Sequence, residues 1–427
     1  TGLGPPIPGF SGINDHVVSG MRLGMDGFLT IAVGDKGIPR AQGTDGKRIQ
    51  LKGGGVIRVR PNGHDLEIVS TGERNPLSVA LNAFDEIFTY GNDDDSKRWP
   101  NSLTHHIVGG HYGYPYEFLT APRRALPILA GEITGSGTQS ICYEEVGLPP
   151  RFRGNLIVWD WGLQTVFRYV LERNGASYRV VSREPIVTKG ELDDFRPFSI
   201  AVDRDGRSLI LVDWAYTGWL ADGPKTGRLY RLTSTAADRV LDPPARPSDD
   251  LAALAHPARA VRLSAQRALA SRGEQAEAGL IERLQFTKSP EILARIHALW
   301  ALDAIATTTA GQAIRQALRD PTPEVRAQAS RSIGIRRDEA ALEDLKTLLS
   351  DPHPLVRREV AIALGRIGQS SATAALLAAL NESDEFAAWS IRHALRVIGA
   401  WDAKALAAAL ADPSRQEQAL RLTEDVW

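Results

Sequence analysis

Phe198-Ser199-Ile200-Ala201-Val202-Asp203-Arg204-Asp205-Gly206-Arg207-Ser208-Leu209-Ile210-Leu211-Val212-Asp213 reads as a strand, a tight Asp-Gly turn and a second strand closing on an aspartate. Asp-Gly between apolar runs marks a hairpin, because the turn needs a residue at positive φ. The same scheme occurs at Met21–Asp35, with Asp26-Gly27 at the turn, and in looser form at Leu77–Tyr90 and Phe152–Asp160. Three of these phrases are followed by a further short strand, at Gly55–Arg60, Thr165–Val170 and Gly227–Leu232. Units of several short strands, none able to bury itself alone, predict β-propeller blades, about four of them. A β-sandwich is the competing arrangement. Stretches 36–54 and 91–150 read as inserts, expected at the blade tops where function sits.

Beyond residue 235 glycine thins out and alanine takes over. Asp320-Pro321-Thr322-Pro323 recurs 31 positions later as Asp351-Pro352-His353-Pro354, and Val325-Arg326 and Gly334 recur at the same offset as Val356-Arg357 and Gly365. Aspartate caps a helix, proline fits its first turn, and apolar residues follow at helical spacing. The repeat predicts an α-solenoid of about five helix pairs, similar to short bacterial HEAT repeats. The expected fold is therefore a partial or divergent β-propeller over 1–235, a proline-rich linker over 236–250 containing Pro243-Pro244-Ala245-Arg246-Pro247, and the solenoid over 251–427. Solenoids offer long surfaces to protein partners. Arg326, Arg357, Arg358 and Arg392 either form a basic stripe or pair with neighbouring carboxylates.

At 427 residues and 43% hydrophobic content, the chain has enough apolar material for more than one core. A formal net charge of −1 gives no reason to expect nucleic acid. No apolar run approaches the roughly 20 residues that span a bilayer. The single cysteine, Cys142, excludes an internal disulfide framework and a haem attachment motif in this chain, and reads as a packed core residue. The chain starts at Thr1 without an initiator Met, which suggests a processed or trimmed product.

The candidate chemistry centres on Ser70-Thr71-Gly72-Glu73-Arg74-Asn75-Pro76. Proline excludes the α region for the residue before it, so Arg74 and Asn75 are presented from a turn entering a strand, a common place for ligand-reading side chains. The loop Gly91-Asn92-Asp93-Asp94-Asp95 offers the oxygen ligands that calcium prefers. His105, His106 and His111 fit no standard metal spacing. Asp160, Trp161, Asp213 and Trp214 read as blade-locking and core residues.

Asp15-His16, Gly24-Met25-Asp26-Gly27, Val33-Gly34-Asp35, Gly55–Val59, Gly72–Pro76, Gly109-Gly110-His111-Tyr112-Gly113-Tyr114-Pro115 and Phe195-Arg196-Pro197 fall in one order. In that order they resemble the soluble quinoprotein glucose/sorbosone dehydrogenase propeller, most closely the large bacterial branch called membrane-bound dehydrogenases, in which a propeller precedes HEAT repeats. The resemblance implies a periplasmic or extracellular dehydrogenase oxidising a sugar or alcohol, with pyrroloquinoline quinone (PQQ) and Ca2+ on the propeller axis. It implies His16 as the base with Asp15 beside it, Arg74 and Asn75 at the cofactor, Arg196 on its carboxylates, and Asn92, Asp93 and Asp94 at the calcium. Histidine suits proton abstraction near neutral pH, and guanidinium forks suit a tricarboxylate. The family's quinone-facing lysine has no counterpart around Trp161-Gly162-Leu163-Gln164, the blade preceding Asp15 is absent, and about four blades stand where the family has six. These departures support the alternative, a non-catalytic propeller and HEAT assembly subunit.

Overall fold

The computed structural model describes residues 2–3, 16–93, 98–132, 134–204, 206–215, 227–235, 240 and 242–424. The chain forms two compact units. A β unit comprises Thr1–Glu172 and Tyr178–Ala245 with Pro257–Arg259, and a helical unit comprises Arg173–Ser177, Arg246–His256 and Ala260–Trp427.

Among the described residues the β unit holds four larger sheets and one two-stranded sheet, a partial or divergent β-propeller. Blade 1 contains β1 (Val18–Leu23), β2 (Leu29–Val33), β5 (Gly54–Val59) and β6 (Glu67–Glu73), with β3 (Ile38–Gln42) and β4 (Arg48–Leu51) as a separate hairpin. Blade 2 contains β7 (Ala80–Leu81), β8 (Ile87–Gly91), β9 (Asn101–His106) and β11 (Ala130–Glu132), while β10 (Gly110–His111) returns to pair in parallel with β6. Blade 3 is β12 (Gly137–Tyr143), β13 (Asn155–Asp160), β14 (Thr165–Asn174) and β15 (Ser177–Thr188). Blade 4 is β16 (Pro197–Val202), β17 (Ser208–Asp213) and β18 (Arg228–Thr233). The Asp-Gly turn of blade 1 forms because Gly27 takes φ +85°, where a side chain would be strained.

Strand periodicity explains how the blades stack. In β13, Leu156 and Val158 pack with Phe88, Tyr90 and Leu103 of blade 2, while Ile157 and Trp159 pack with Ile200, Leu209 and Leu211 of blade 4. A strand buried on both faces must be apolar at every position, and Leu156-Ile157-Val158-Trp159 is. Between blades 1 and 2 the seam is Ala32, Val56 and Val69 against Val79, Leu81 and Ile87. Each buried valine, leucine or isoleucine here contributes roughly 1.5–3 kcal/mol.

Two expectations about the inserts require correction. The stretch 91–150 is not one insert: it supplies β9, the third strand of blade 2, and β12, the first strand of blade 3. Both are polar in part and lack an Asp-Gly turn, so they carry little of the pattern that marks the other blades. The stretch 36–54 does not decorate a blade top. Its hairpin lays Ile38, Ala41 and Leu51 over Ile31, Val33 and Ile57, the face of blade 1 turned away from blade 2.

The helical unit opens with α2 (Asp250–Ala253), after a four-residue helix α1 (Glu117–Thr120) in the β unit. Five helix pairs follow: α3 (Arg259–Ser271) with α4 (Glu274–Leu284), α5 (Ile292–Ile305) with α6 (Thr308–Gln316), α7 (Pro323–Arg336) with α8 (Leu342–Leu348), α9 (Pro354–Ile367) with α10 (Thr373–Ala378), and α11 (Glu385–Ile398) with α12 (Ala403–Ala411); α13 (Gln416–Glu424) ends the array. None of the described helices is long and apolar enough to cross a membrane.

The repeated Asp-Pro acts differently from the expected cap. The residues capping α7 and α9 are Thr322 and His353. Asp320 and Asp351 lie two positions earlier, where each accepts from the backbone N–H of that cap residue and receives an arginine from the preceding repeat. Arg295 bonds Asp320, Arg326 bonds Asp351 through two nitrogens at 2.8 and 2.9 Å, and Arg357 bonds Glu382, all at a separation of 25 residues. Arg358 pairs with Glu359, and Arg392 bonds Gln418. Arg295, Arg326 and Arg357 form an internal ladder joining repeats, and Arg358 and Arg392 are likewise paired internally, so the four expected arginines do not make a basic stripe. Gly334 recurs as Gly365 for a packing reason: a Cβ at Gly334 would lie 2.7 Å from the Ala363 Cα, and one at Gly365 would lie 3.0 Å from the Ala394 Cα.

Candidate functional site

In each blade the first strand begins where the second ends. Register pairs Val18 with Val33, Pro76 with Gly91, Gly137 with Asp160 and Pro197 with Asp213. One edge of each sheet therefore carries the residues just before a first strand or just after a second. His16, Arg74, Asn75, Asn92, Asp93 and Arg196 all occupy such positions. Asp15 and Asp94 lie outside the described residues.

His16 and Asn75 meet at Gly34, although they belong to different blades. A Cβ at Gly34 would lie 2.7 Å from the His16 Cα and 2.7 Å from the Asn75 Oδ1, so only glycine admits both. His16 Nδ1 is 2.7 Å from Asp35 Oδ1. A carboxylate accepts, so the ring donates from Nδ1, which in a neutral imidazole puts the lone pair on Nε2. Asp35 is a partner that sequence reasoning did not assign; its only signal was its place at the end of Val33-Gly34-Asp35. The residue brought against His16 is Asn75, while Arg74 beside it is half-buried.

Asn75 is buried, and its carbonyl accepts from the Asn92 N–H at 3.3 Å. The side-chain Oδ1 atoms of Asn75 and Asn92 are both buried without a hydrogen-bond donor. Unsatisfied buried acceptors are costly, and amide oxygens are hard donors of the kind calcium takes. Among the described residues no group of three or more His, Cys, Asp or Glu side chains could hold a metal ion. A cation here would rest on amide and main-chain oxygens instead of a carboxylate cage.

The edge continues as a hydrogen-bonded line across blades 2 to 4. The Asp93 N–H donates to Asn101 Oδ1 at 2.9 Å, and Asn101 Nδ2 donates to Asp160 Oδ2 at 3.3 Å. Asp160 also accepts from Tyr90 Oη and from the N–H groups of Ser136 and Leu163. Burial raises its carboxyl above the ordinary range, opposed by those donors. The Arg196 guanidinium lies 4.6 Å from the centre of the Trp161 ring and donates to the Trp161 carbonyl at 3.3 Å, while its N–H is held by Asp213. Asp160 and Asp213 thus order loops rather than face solvent, but Trp214 is exposed and does not behave as the expected core residue.

Glu73, next to Arg74, is a second group that the sequence did not announce. Its side chain is fully buried, Oε2 accepts from Ser102 Oγ at 3.2 Å, and Oε1 is 3.9 Å from His106 Nε2. His106 bonds Ser70 and Thr89 through its two nitrogens, and burial pushes it down to about 3, so it is neutral. Burial pushes the Glu73 carboxyl up to about 7, opposed by the neighbouring hydroxyls, of which Ser102 donates to it.

Comparison with known proteins matches HEAT repeats to residues 311–396. None of the curated proteins matches this chain. Among solved structures, a proposed oxidoreductase (glucose dehydrogenase) from Thermus thermophilus is 22% identical, covering 53% of this chain and 67% of that one, with a TM-score of 0.39. A designed armadillo repeat protein in complex with a (KR)4 peptide is 21% identical over 41% of this chain and 97% of its own, with a TM-score of 0.26. An engineered protein is 22% identical over 42% of this chain and 96% of its own, with a TM-score of 0.28.

Proposed function

We propose that the β unit is a quinoprotein-like dehydrogenase oxidising a sugar or alcohol, acting outside the cytoplasm, and that the helical unit is its protein-binding module. The observation that carries this reading is the His16–Asp35 pair at 2.7 Å beside the buried Asn75. Removing hydride from an alcohol requires a base for the hydroxyl proton. His16 Nε2 takes that proton, and Asp35 holds the ring's tautomer and stabilises the imidazolium that results. PQQ with Ca2+, when bound, supplies the hydride acceptor. Arg74 and Arg196 would hold its carboxylates by charge-assisted hydrogen bonds. Asn75 and Asn92 would offer their side-chain oxygens to the calcium, with Asp93 next to Asn92 in the chain. HEAT and armadillo-like arrays commonly bind protein partners along their surfaces, which supports the role given to the helical unit.

The test is reconstitution of the full chain with PQQ and Ca2+, followed by dye-linked oxidation of aldoses and simple alcohols, with quinone binding read separately by absorbance. Asp35→Asn should bind quinone normally and lose about 10²–10⁴ in kcat, the range for a misdirected general base. Quinone binding without any oxidation in the wild-type chain would favour the assembly-subunit alternative. Oxidation undiminished by Asp35→Asn would remove His16 from the base role.

A further inference from the structure

Arg22, near the end of β1, is half-buried, and its Nη2 is buried without an acceptor among the described residues. Strand alternation fixes where its side chain goes. Met21 and Leu23 are exposed, so Arg22 shares the other face of β1 with Gly20. Gly20 lies against blade 2: its N–H donates to the Leu77 carbonyl at 2.9 Å, and a Cβ there would be 2.9 Å from the Ser78 Cα. Arg22, one step further along the same face, is carried toward β7.

A second guanidinium reaches the same end of the seam. Arg259 Nη1 donates to the Leu81 carbonyl, the last residue of β7, at 3.0 Å, and its backbone N–H donates to the Glu144 carbonyl at 2.9 Å. The carboxylates here are engaged elsewhere. Asp85 Oδ2 accepts from the N–H groups of Met25 and Asp26, and its Oδ1 stands 3.9 Å from Arg259 Nη2. Glu144 Oε1 accepts from the Ala83 N–H at 3.1 Å. Among the described residues no carboxylate forms an ion pair with Arg22. Burial lowers the pKa of its guanidinium, and the like charge of Arg259 lowers it further.

Two like charges brought together, one of them with an unused buried donor, are costly unless an anion joins them. Guanidinium forks match the paired oxygens of a carboxylate or a phosphate. We propose that Arg22 and Arg259 form a binding site for a small oxyanion, a phosphate or a carboxylate, where blade 1 meets blade 2. The site is separate from the one around His16. His16 precedes β1 and Arg22 lies near its far end, so about 20 Å of strand divides them. It makes no use of a quinone and stands independently of the redox reading. An anion held there ties β1 to the seam, so binding and stability rise together.

Isothermal titration of the full chain with inorganic phosphate, and separately with succinate, tests this at fixed ionic strength, with thermal melts alongside. At least one of the two should bind at a single site and raise the melting temperature, while chloride at the same ionic strength should not. The tighter of the two names the class of anion. Arg22→Met keeps the apolar stem and removes the fork, and should weaken binding about tenfold or more. It should melt no lower than the wild type in anion-free buffer, because the charge it removes has no partner there. Arg22→Lys keeps the charge without the fork and should bind less tightly than the wild type but more tightly than Arg22→Met. No binding of either anion up to about 10 mM overturns the proposal. So does binding that Arg22→Met leaves unchanged, or a clear loss of stability in Arg22→Met without anion, which would give Arg22 a partner within the fold.

Discussion

The buried Glu73 carboxyl provides the most exacting test of the β unit. Among the described residues it has no cationic partner: the facing His106 is neutral, and the hydroxyl of Ser102 donates to it. Raising the carboxyl from its ordinary 4.5 to about 7 separates the folded from the unfolded state by roughly two to three pH units. At about 1.4 kcal/mol per unit, this is a penalty of about 3 kcal/mol once the group must ionise in place. The sign follows from proton counting. Below pH 4.5 the carboxyl is neutral in both states and costs nothing. Between 4.5 and about 7 the unfolded chain ionises while the folded one does not, so stability falls as pH rises. Above about 7 both are ionised and the full penalty remains. Glu73→Gln keeps the shape and removes the charge. Denaturant unfolding of wild type and variant, followed across pH 4–9 on the β-unit transition, should give a difference near zero at pH 4, growing through the window and levelling at about 3 kcal/mol in favour of Gln above pH 7. A pH-independent difference, or a variant less stable than wild type at pH 8, would refute the assignment of Glu73 as an unpaired buried acid.

Two further perturbations address the helical unit. Arg326→Ala leaves Asp351 buried without its bidentate partner, and loss of one member of such a pair costs about 3–5 kcal/mol, to be read as a lower denaturation midpoint of the helical transition. Gly334→Ala gains about 1 kcal/mol of helix propensity but drives a Cβ to 2.7 Å from the Ala363 backbone, and overpacking of about 1–3 kcal/mol should make it net destabilising. Gly365→Ala, with 3.0 Å available, should be the milder of the two, and the reverse order in thermal melts would contradict the packing described.

Local chemistry was legible without coordinates. Asp-Gly turns, β-branched alternation and the 31-residue recurrence of Asp-Pro, Val-Arg and Gly are short-range signals, because positive φ and helix entry are decided within a few residues. They determined the blade hairpins, the solenoid and the order of the two units. Strands β9 and β12 were less visible, since their register is set by neighbouring strands and not by a turn of their own.

The ordering of His16 before β1 and of Asn75 before β7 was present in the sequence, but their meeting over Gly34 was not. That meeting depends on two blades packing face to face, as do the burial of Glu73 and the diversion of Asp320 and Asp351 from caps to arginine partners. Burial and long-range pairing are properties of surfaces brought together from distant parts of the chain. Residue spacing along one strand or helix carries no record of which surface will be opposite, so these features were decided by the tertiary structure alone.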